Sequence, residues 1–204
     1  MKAPVLSATP GQLIKFHGEP CLVLEHRTDG TLLLATTQVQ KPFGTDNDFA
    51  KSTLMDHLNG PWLEALTENH PEEVLPRIVD LTAVNGSKQY GFCKCKAAPL
   101  TLDEVRKYHA ILPKPESWEW MATPWSTPEV DDDDEWVAGL TSGGSVGNCS
   151  CSSTYGSRPA FLISSHHSVE LDGIQPEELT KALAQFSTKE LLDEISRRVS
   201  PGEA

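Results

Sequence analysis

The sequence has no long hydrophobic segment. No run of its residues approaches the about 18 consecutive apolar residues that a membrane-spanning helix needs. Its opening stretch, MKAPVLSATP, contains a single lysine and lacks the apolar core of a secretion signal. We therefore expect no membrane partner, and a protein that is cytoplasmic on synthesis.

Basic residues are also scarce. The chain has 17 lysines and arginines against 29 aspartates and glutamates, which gives a net charge of -12. Phosphates repel such a chain, so we expect no direct contact with nucleic acid. The acidity has two interpretations. It can simply maintain solubility, or it can mimic nucleic-acid charge in an inhibitor of a host defence or DNA-binding protein, for which the run Glu129 to Glu135 is the motivating segment.

Several motifs of catalysis and cofactor binding are missing. The chain contains no P-loop and no dinucleotide-binding fingerprint, and its histidines show no His-Glu-x-x-His spacing. The aspartates at 131–134 lack the alternating ligands and the glycine of a calcium-binding loop. Their mutual repulsion favours a solvated loop instead. We expect no catalytic residues, no cofactor, and a protein that is not an enzyme.

The cysteines are few and odd in number. They are Cys21, Cys93, Cys95, Cys149 and Cys151. An odd count without a secretion signal indicates reduced thiols. The two Cys-x-Cys pairs raise an alternative, a four-thiolate zinc site, because a strand directs both sulfurs of such a pair to one face. Zinc ligands are usually spaced by about two to four residues, so free thiols are the preferred interpretation.

What the N-terminal part does contain is a series of short apolar segments separated by turn signals. Residues 11–16, 20–25 and 31–37 have the composition of strands. They are joined at His17-Gly18 and at Thr28-Asp29-Gly30, and an Asp-Gly pair between apolar runs is a strong hairpin signal. We expect an N-terminal antiparallel meander.

Helical spacing begins at residue 52. Apolar residues recur at helical intervals over 52–66, with an interruption at Asn59-Gly60-Pro61. The pattern predicts two short helices separated by the Gly-Pro pair. A third helix is predicted over 101–111, with Thr101 or Asp103 as its cap.

Four of the five tryptophans lie between residues 118 and 165. Three strands are predicted in this region, at 118–122, 136–140 and 159–164, with a flexible Gly- and Ser-rich loop at 143–156. Trp118 and Trp120 would share one face of a strand and fill the core, whereas Trp125 would lie nearer the surface.

The end of the chain differs in character. Residues 176–186 and 187–199 each carry an apolar stripe at helical spacing, and the second segment opens with a Ser-x-x-Glu capping box. We therefore divide the chain into a domain at 1–170 and a C-terminal helical hairpin at 171–204. Helices this short are marginal alone. The hairpin packs on its own domain in our preferred interpretation, and on a second copy, as a homo-oligomer, in the alternative.

The order of these segments resembles a family of bacterial and phage domains of unassigned function. The matching segments are LIKF at 13–16, CLVL at 21–24, STL at 52–54, LNGPWL at 58–63, PLTLDEV at 99–105, WEWMATP at 118–124 and GSRPAFL at 156–162. The closing pattern is similar to the C-type-lectin-like fold, which is shared by the variable proteins of diversity-generating retroelements and by formylglycine-generating enzymes. The chain departs from the family at Ala122, where the family has arginine.

The resemblance implies an α+β fold. It is a C-type-lectin-like domain with a small twisted antiparallel sheet, two or more short helices and a long loop-rich insert that displays a binding face. In the variable proteins, the segment before Gly-x-Arg-Pro carries the ligand-contacting residues. That segment corresponds here to residues 143–155.

These observations favour a non-enzymatic binding module that recognises a protein or surface glycan through residues 118–157. We expect it to be encoded by a phage or prophage and to be located in the virion or in the host cell. The candidate ligand-binding residues are Trp125, Asn148, Ser150, Ser152, Ser153, Thr154 and Tyr155. Small polar residues with a tyrosine are typical of adaptable binding loops. One alternative comes from the fold alone: a metal-dependent, oxidase-like enzyme of the formylglycine-generating type, which would need copper.

Overall fold

The computed structural model describes residues 2–132 and 134–171, and every structural statement below refers to these residues. The strands are β1 (Lys2–Pro4), β2 (Leu13–Phe16), β3 (Glu19–Arg27), β4 (Gly30–Ala35), β5 (Lys41–Pro42), β6 (Val74–Leu75), β7 (Arg77–Asp80), β8 (Phe92–Cys95), β9 (Ala97–Ala98), β10 (Glu119–Pro124), β11 (Trp136–Leu140), β12 (Val146–Ser150), β13 (Thr154–Tyr155), β14 (Ala160–Ile163) and β15 (Ser168–Leu171). The α-helices are α1 (Thr53–Asn59), α2 (Pro61–Leu66), α3 (Leu102–Tyr108) and α4 (Pro128–Asp131). Short 3-10 helices lie at Val5–Ser7, Phe49–Lys51 and Pro71–Glu73.

The structure is a mixed α+β fold that consists mostly of strands. No helix of the described residues is long and apolar enough to cross a membrane. The tail helices predicted at 176–186 and 187–199 lie outside the described residues, and so does any contact they make with a second copy.

The largest sheet has the strand order β1-β15-β2-β3-β4-β14-β6, and β9 pairs with β14 on the same side as β6. All its pairs are antiparallel, and it curls into a half-barrel. The predicted meander is confirmed as β2, β3 and β4. His17 and Gly18 form its first turn with φ values of 48° and 83°, which is the left-handed conformation that tight hairpins need.

Both faces of this sheet are covered, which explains why all six residues of β4 are buried. On one face Leu33, Phe161 and Val23 belong to the same buried cluster as the apolar side chains of α1 and α2. On the other face Leu34 and Leu162 pack with Tyr108 of α3. The helices therefore lie on opposite faces of a single central sheet.

The predicted helix break at Asn59-Gly60-Pro61 is confirmed. The α1 helix begins after Ser52, whose hydroxyl accepts a hydrogen bond from the Met55 backbone N–H at 3.0 Å, and Pro61 is the first residue of α2. Proline suits that position because the first helical N–H has no partner within the helix.

The third predicted helix forms as α3, and Thr101 is its cap. The Thr101 hydroxyl accepts from the Glu104 N–H while the Glu104 carboxylate accepts from the Thr101 N–H, a complete capping box. The helix ends at Tyr108, three residues earlier than the sequence predicts.

A second sheet contains β10, β11 and β12 in that order. Strands β10 and β11 were predicted, but the flexible loop predicted at 143–156 is wrong. Half of that segment is ordered into β12, which pairs with β11 along its whole length, and β13, which pairs with β5. Asp132 and Asp134 of the acidic run are exposed and lie outside any helix or strand, as expected for a solvated loop, whereas Asp131 ends the short helix α4.

Candidate functional site

The β10–β11–β12 sheet has two different faces, which we call inner and outer. Cross-strand partners lie on the same face of a sheet, so the register assigns each side chain. The inner face carries Trp118, Trp120, Val137, Gly139, Gly147 and Cys149, and the outer face carries Met121, Trp136, Ala138, Leu140, Val146, Asn148 and Ser150.

The inner face is part of the main core. Trp120 is buried and its indole N–H donates to the Lys41 carbonyl at 3.0 Å. Tyr155 packs edge-on against Trp120 at 5.1 Å between ring centroids, and Trp118 lies 5.9 Å from Tyr155. As the sequence predicted, Trp118 and Trp120 share a face and pack against the core.

Two glycines make room for the Trp118 ring. A Cβ atom on Gly147 would lie 2.7 Å from the Trp118 ring, and one on Gly139 would lie 3.1 Å from it. The indole therefore takes the space that side chains on β11 and β12 would occupy. This contact explains why a Gly-rich segment forms a regular strand here.

The outer face is covered over only part of its area. Met121, Ala138 and Leu140 are buried with Leu102 of α3, and Trp125 packs half-buried against this cluster. Toward β12 the cover ends. Trp136 is 38% exposed, Val146 is 41% exposed, and the Asn148 side chain between them is also exposed. We call Trp136, Val146 and Asn148 the open patch.

Strand β12 is also the edge of its sheet. It pairs with β11 on one side, and within the described residues no strand pairs with its other side. An unpaired strand edge presents backbone donors and acceptors in a row, which another extended chain can pair with.

The structure separates the predicted ligand-binding residues. Asn148 and Ser150 lie on the outer face, where Trp125 also packs, while Tyr155 lies on the inner side with the core tryptophans. Ser152 and Ser153 form the turn that follows β12, and Thr154 is exposed in β13. Tyr155 therefore packs against the inner face of the sheet and does not share a surface with Asn148.

An acidic segment, which we call the acidic rim, immediately precedes Trp136 of the open patch along the chain. The rim consists of the exposed residues Glu129, Asp131, Asp132, Asp134 and Glu135. The Ser150 hydroxyl donates to the Glu135 carboxylate at 2.7 Å and lies 2.9 Å from the Ser152 hydroxyl, which connects the rim to β12.

A buried ion pair anchors β10 to the segment before β14. The Arg158 guanidinium donates to both oxygens of Glu119, at 2.7 and 2.8 Å, and Gln38 donates to the same carboxylate at 3.2 Å. Arg158 is the arginine of the Gly-Ser-Arg-Pro segment that the sequence singled out.

One stretch matches a catalytic pattern in letters alone. Gly143-Gly144-Ser145-Val146-Gly147 fits Gly-x-Ser-x-Gly, whose serine needs a sharp turn from a strand into a helix. Here the serine lies in the hairpin turn between β11 and β12, where its N–H donates to the Thr141 hydroxyl at 3.1 Å. The context that makes such a serine a nucleophile is absent from this hairpin.

All five cysteines are free and buried. Cys93 and Cys95 point to the same face of β8, as predicted, and are close enough to form a hydrogen bond that lowers the pKa of Cys93. Burial raises the pKa of Cys149, an effect that a hydrogen bond from Tyr155 reduces. In the described part of the chain, the group of three or more possible metal ligands contains no cysteine.

That group consists of His17, Glu73 and His167, which the sequence did not indicate. Nε2 of the turn histidine His17 lies 2.5 Å from Oε2 of Glu73, and Nε2 of His167 lies 3.9 Å from the same carboxylate oxygen. Their separation along the chain follows no metal-binding spacing. Only the pairing of distant strands brings them together.

A cleft of about 420 Å³ lies beside the start of α3. Val79, Thr82, Val84, Leu102 and Thr123 are among its lining residues. The cleft adjoins the solvent-facing side of β7, where Ile78 is exposed next to Phe92 of β8. These two apolar side chains form a further exposed apolar surface, apart from the open patch.

Comparison of the chain with models of protein families, with curated proteins and with solved structures finds no match.

Proposed function

We propose that this protein is a non-enzymatic binding module that recognises a protein partner through the open patch and the free edge of β12. The observation that carries the proposal is the incomplete cover of the outer face. Trp136 and Val146 remain exposed beside Asn148 at a strand edge, whereas Met121, Ala138 and Leu140 on the same face are buried with Leu102 of α3.

The composition of the patch favours a protein over a glycan. An aromatic and an aliphatic side chain surround a polar amide, and polar residues follow in the next turn, which is the arrangement of a protein interface with an apolar centre and a polar rim. The free edge adds backbone donors and acceptors, which an extended segment of a partner can use by strand addition.

The acidic rim defines the charge of the partner. Exposed Glu129, Asp132 and Asp134 closely precede Trp136 of the patch in the sequence, so we expect a complementary surface to be basic. This feature also accommodates the inhibitor hypothesis, because a basic host defence or DNA-binding protein is one such partner. The rim should increase the association rate at low salt, and screening should reduce that effect.

We propose further that the fold is a C-type-lectin-like domain and that the protein is of phage or prophage origin. A C-type-lectin-like domain is supported by the antiparallel main sheet, by helices on its faces and by a separate small sheet built from residues 119–150. An origin in a phage or prophage, with or without a place in the virion, rests on the sequence resemblance alone.

The test begins with untagged full-length protein. Partners captured from host lysate are identified by mass spectrometry, and the affinity of the purified partner is then measured for a patch variant carrying Trp136→Ala, Val146→Ala and Asn148→Ala. We expect an affinity loss of at least about tenfold, as for the centre of an interface. Because these side chains are exposed, circular dichroism should show an unchanged fold.

The matched control carries Ile78→Ala and Phe92→Ala, which removes two other exposed apolar side chains, on β7 and β8. It should bind the partner with the affinity of the unmodified protein. If the control loses binding and the patch variant keeps it, the interface lies on β7 and β8 instead. Binding to glycans alone on an array would also contradict the proposal.

A further inference from the structure

We propose that His17, Glu73 and His167 form a binding site for a zinc ion, with Nε2 of each histidine and one carboxylate oxygen as ligands and one coordination position open to water. This site is independent of the open patch and of the proposed partner. It uses none of the cysteines.

The three side chains come from three separate segments. His17 lies in the β2–β3 turn, Glu73 ends the 3-10 helix at Pro71–Glu73, and His167 precedes β15. The pairing of β15 with β2 fixes the two histidine segments next to each other. The site is therefore built by the main sheet, on which the rest of the fold depends.

The distances lie on both sides of those in a zinc site, so that binding an ion requires His17 and Glu73 to separate and His167 to approach. The three ligand atoms lie within 4.8 Å of one another, with 2.5 Å from His17 Nε2 to Glu73 Oε2 and 3.9 Å from His167 Nε2 to the same oxygen. Ligands bound to zinc at about 2.0–2.2 Å lie somewhat more than 3 Å apart in a tetrahedral arrangement. Shifts of about 1 Å in side chains at a turn and a bend satisfy this geometry.

The ligand types select the ion. Two imidazoles and one carboxylate suit zinc and other first-row transition metals, whereas calcium and magnesium prefer oxygen ligands alone. Two histidines with one glutamate is also a set that leaves a fourth position on zinc for water. The carboxylate offsets part of the charge of the ion.

The site is supported on one side and open on the other. The Phe16 ring packs edge-on against His17 at 4.6 Å and against His167 at 5.2 Å, and Phe16 itself is buried. The three ligand side chains keep 22%, 29% and 26% of their surface exposed, so an ion reaches them from solvent. A cavity of about 110 Å³ adjoins both histidines, and Glu73 is not among its lining residues.

The same three residues could instead serve only as a structural hydrogen bond between His17 and Glu73. That arrangement involves His17 and Glu73 but gives His167 no role, since 3.9 Å is too long for a hydrogen bond. Loss of binding on substitution of His167 therefore distinguishes a metal site from a hydrogen bond.

The test is titration of the untagged, metal-free full-length protein with zinc chloride by isothermal calorimetry. We expect one ion per chain, and a loss of affinity of about 100-fold or more in His167→Gln and Glu73→Gln, since removal of outer-shell partners alone costs about 10–100-fold. His17→Asn is the third variant, because asparagine tolerates the left-handed conformation of this turn.

Two matched controls are His166→Gln and His70→Gln. Each replaces a histidine close in sequence to a ligand but outside the cluster, and each should bind zinc as the unmodified chain does. A further measurement replaces zinc with cobalt(II). Histidine and carboxylate ligation gives visible d–d absorption without the intense ultraviolet band of thiolate-to-cobalt charge transfer.

Three results would overturn the proposal. They are an absence of zinc binding in the unmodified protein, unchanged affinity in the His167→Gln variant, and a thiolate charge-transfer band that Cys→Ser substitutions remove. The last result would move the metal to the cysteine pairs. Circular dichroism of every variant checks that the variant is folded, so that weaker zinc binding is not caused by unfolding.

Discussion

At the scale of single residues, the polar contacts of the structure differ greatly in burial, and their expected energies differ accordingly. Glu119 and Arg158 keep only 9% and 5% of their side-chain surface exposed, whereas Asp103 and Arg106 form an ion pair in open solvent. A buried charge that loses its partner cannot regain full hydration. The first pair therefore holds β10 in place, and the second has little effect.

We predict that Arg158→Ala lowers the free energy of unfolding by about 3–5 kcal/mol, because Glu119 is then left buried without its counter-charge. Arg106→Ala, the exposed control, should cost less than about 1 kcal/mol. Urea unfolding of both variants measures the difference. Equal costs would show that the Glu119–Arg158 pair is not essential to the sheet.

Glu25 makes the stability of the folded protein depend on pH in the acidic range. Burial alone would raise its pKa, but hydrogen bonds from Lys107, Tyr108 and Arg27 outweigh that effect and lower the pKa from 4.5 to about 2. The folded state therefore binds fewer protons than the unfolded state between these pH values. The stabilisation is complete above the unfolded pKa and is lost as the pH falls through the folded pKa.

We therefore predict that Glu25→Gln costs stability at neutral pH and progressively less on acidification. The difference in unfolding free energy between the two proteins should shrink from about pH 4.5 and vanish near pH 2. Urea unfolding in a series of buffers measures it. A difference that stays constant across this range would mean that the carboxylate does not interact with its three donors.

At the scale of elements, local signals explain which parts of the fold could be predicted. The Asp29-Gly30 turn, the Gly60-Pro61 break and the Thr101 cap each depend on neighbouring residues, and each was predicted correctly. Strand β12 was missed because its glycines suggest a loop. The reason they form a strand is the Trp118 ring, about thirty residues earlier in the chain.

The element-scale prediction concerns this contact. Gly147→Ala introduces a Cβ atom 2.7 Å from the Trp118 ring, so the ring must move. We expect a destabilisation of about 1–3 kcal/mol and a change in tryptophan fluorescence. Gly143→Ala, whose Cβ atom would lie no nearer than 3.6 Å to its neighbours, should change neither. Identical behaviour of the two variants would contradict the packing that we describe for β12.

At the scale of the whole molecule, the central sheet determines the position of the proposed metal site, whereas the open patch lies on the separate β10–β11–β12 sheet. Pairing of β15 with β1 and β2 brings together residues from opposite ends of the described chain, and with them His17 and His167. No sequence spacing signals such a contact, because it depends on strand pairing over about 150 residues. For the same reason the separation of Tyr155 from Asn148 was not predictable.

The thiols report on the integrity of the whole fold. All five are buried, and burial raises the pKa of Cys21 far above its ordinary value. We predict slow reaction of the native protein with Ellman's reagent and rapid reaction of five thiols after unfolding in urea. Rapid reaction of several thiols in the native state would contradict the burial described for them.

Hydrogen–deuterium exchange of the free protein and of its complex tests the central claim most directly. The account predicts that backbone amides of Val146–Ser150 become more protected in the complex, because a partner covers the open patch and pairs with the edge of β12. Amides of β7 and β8 should exchange as they do in the free protein. Protection confined to β7 and β8, with β12 unchanged, would contradict the proposed binding surface.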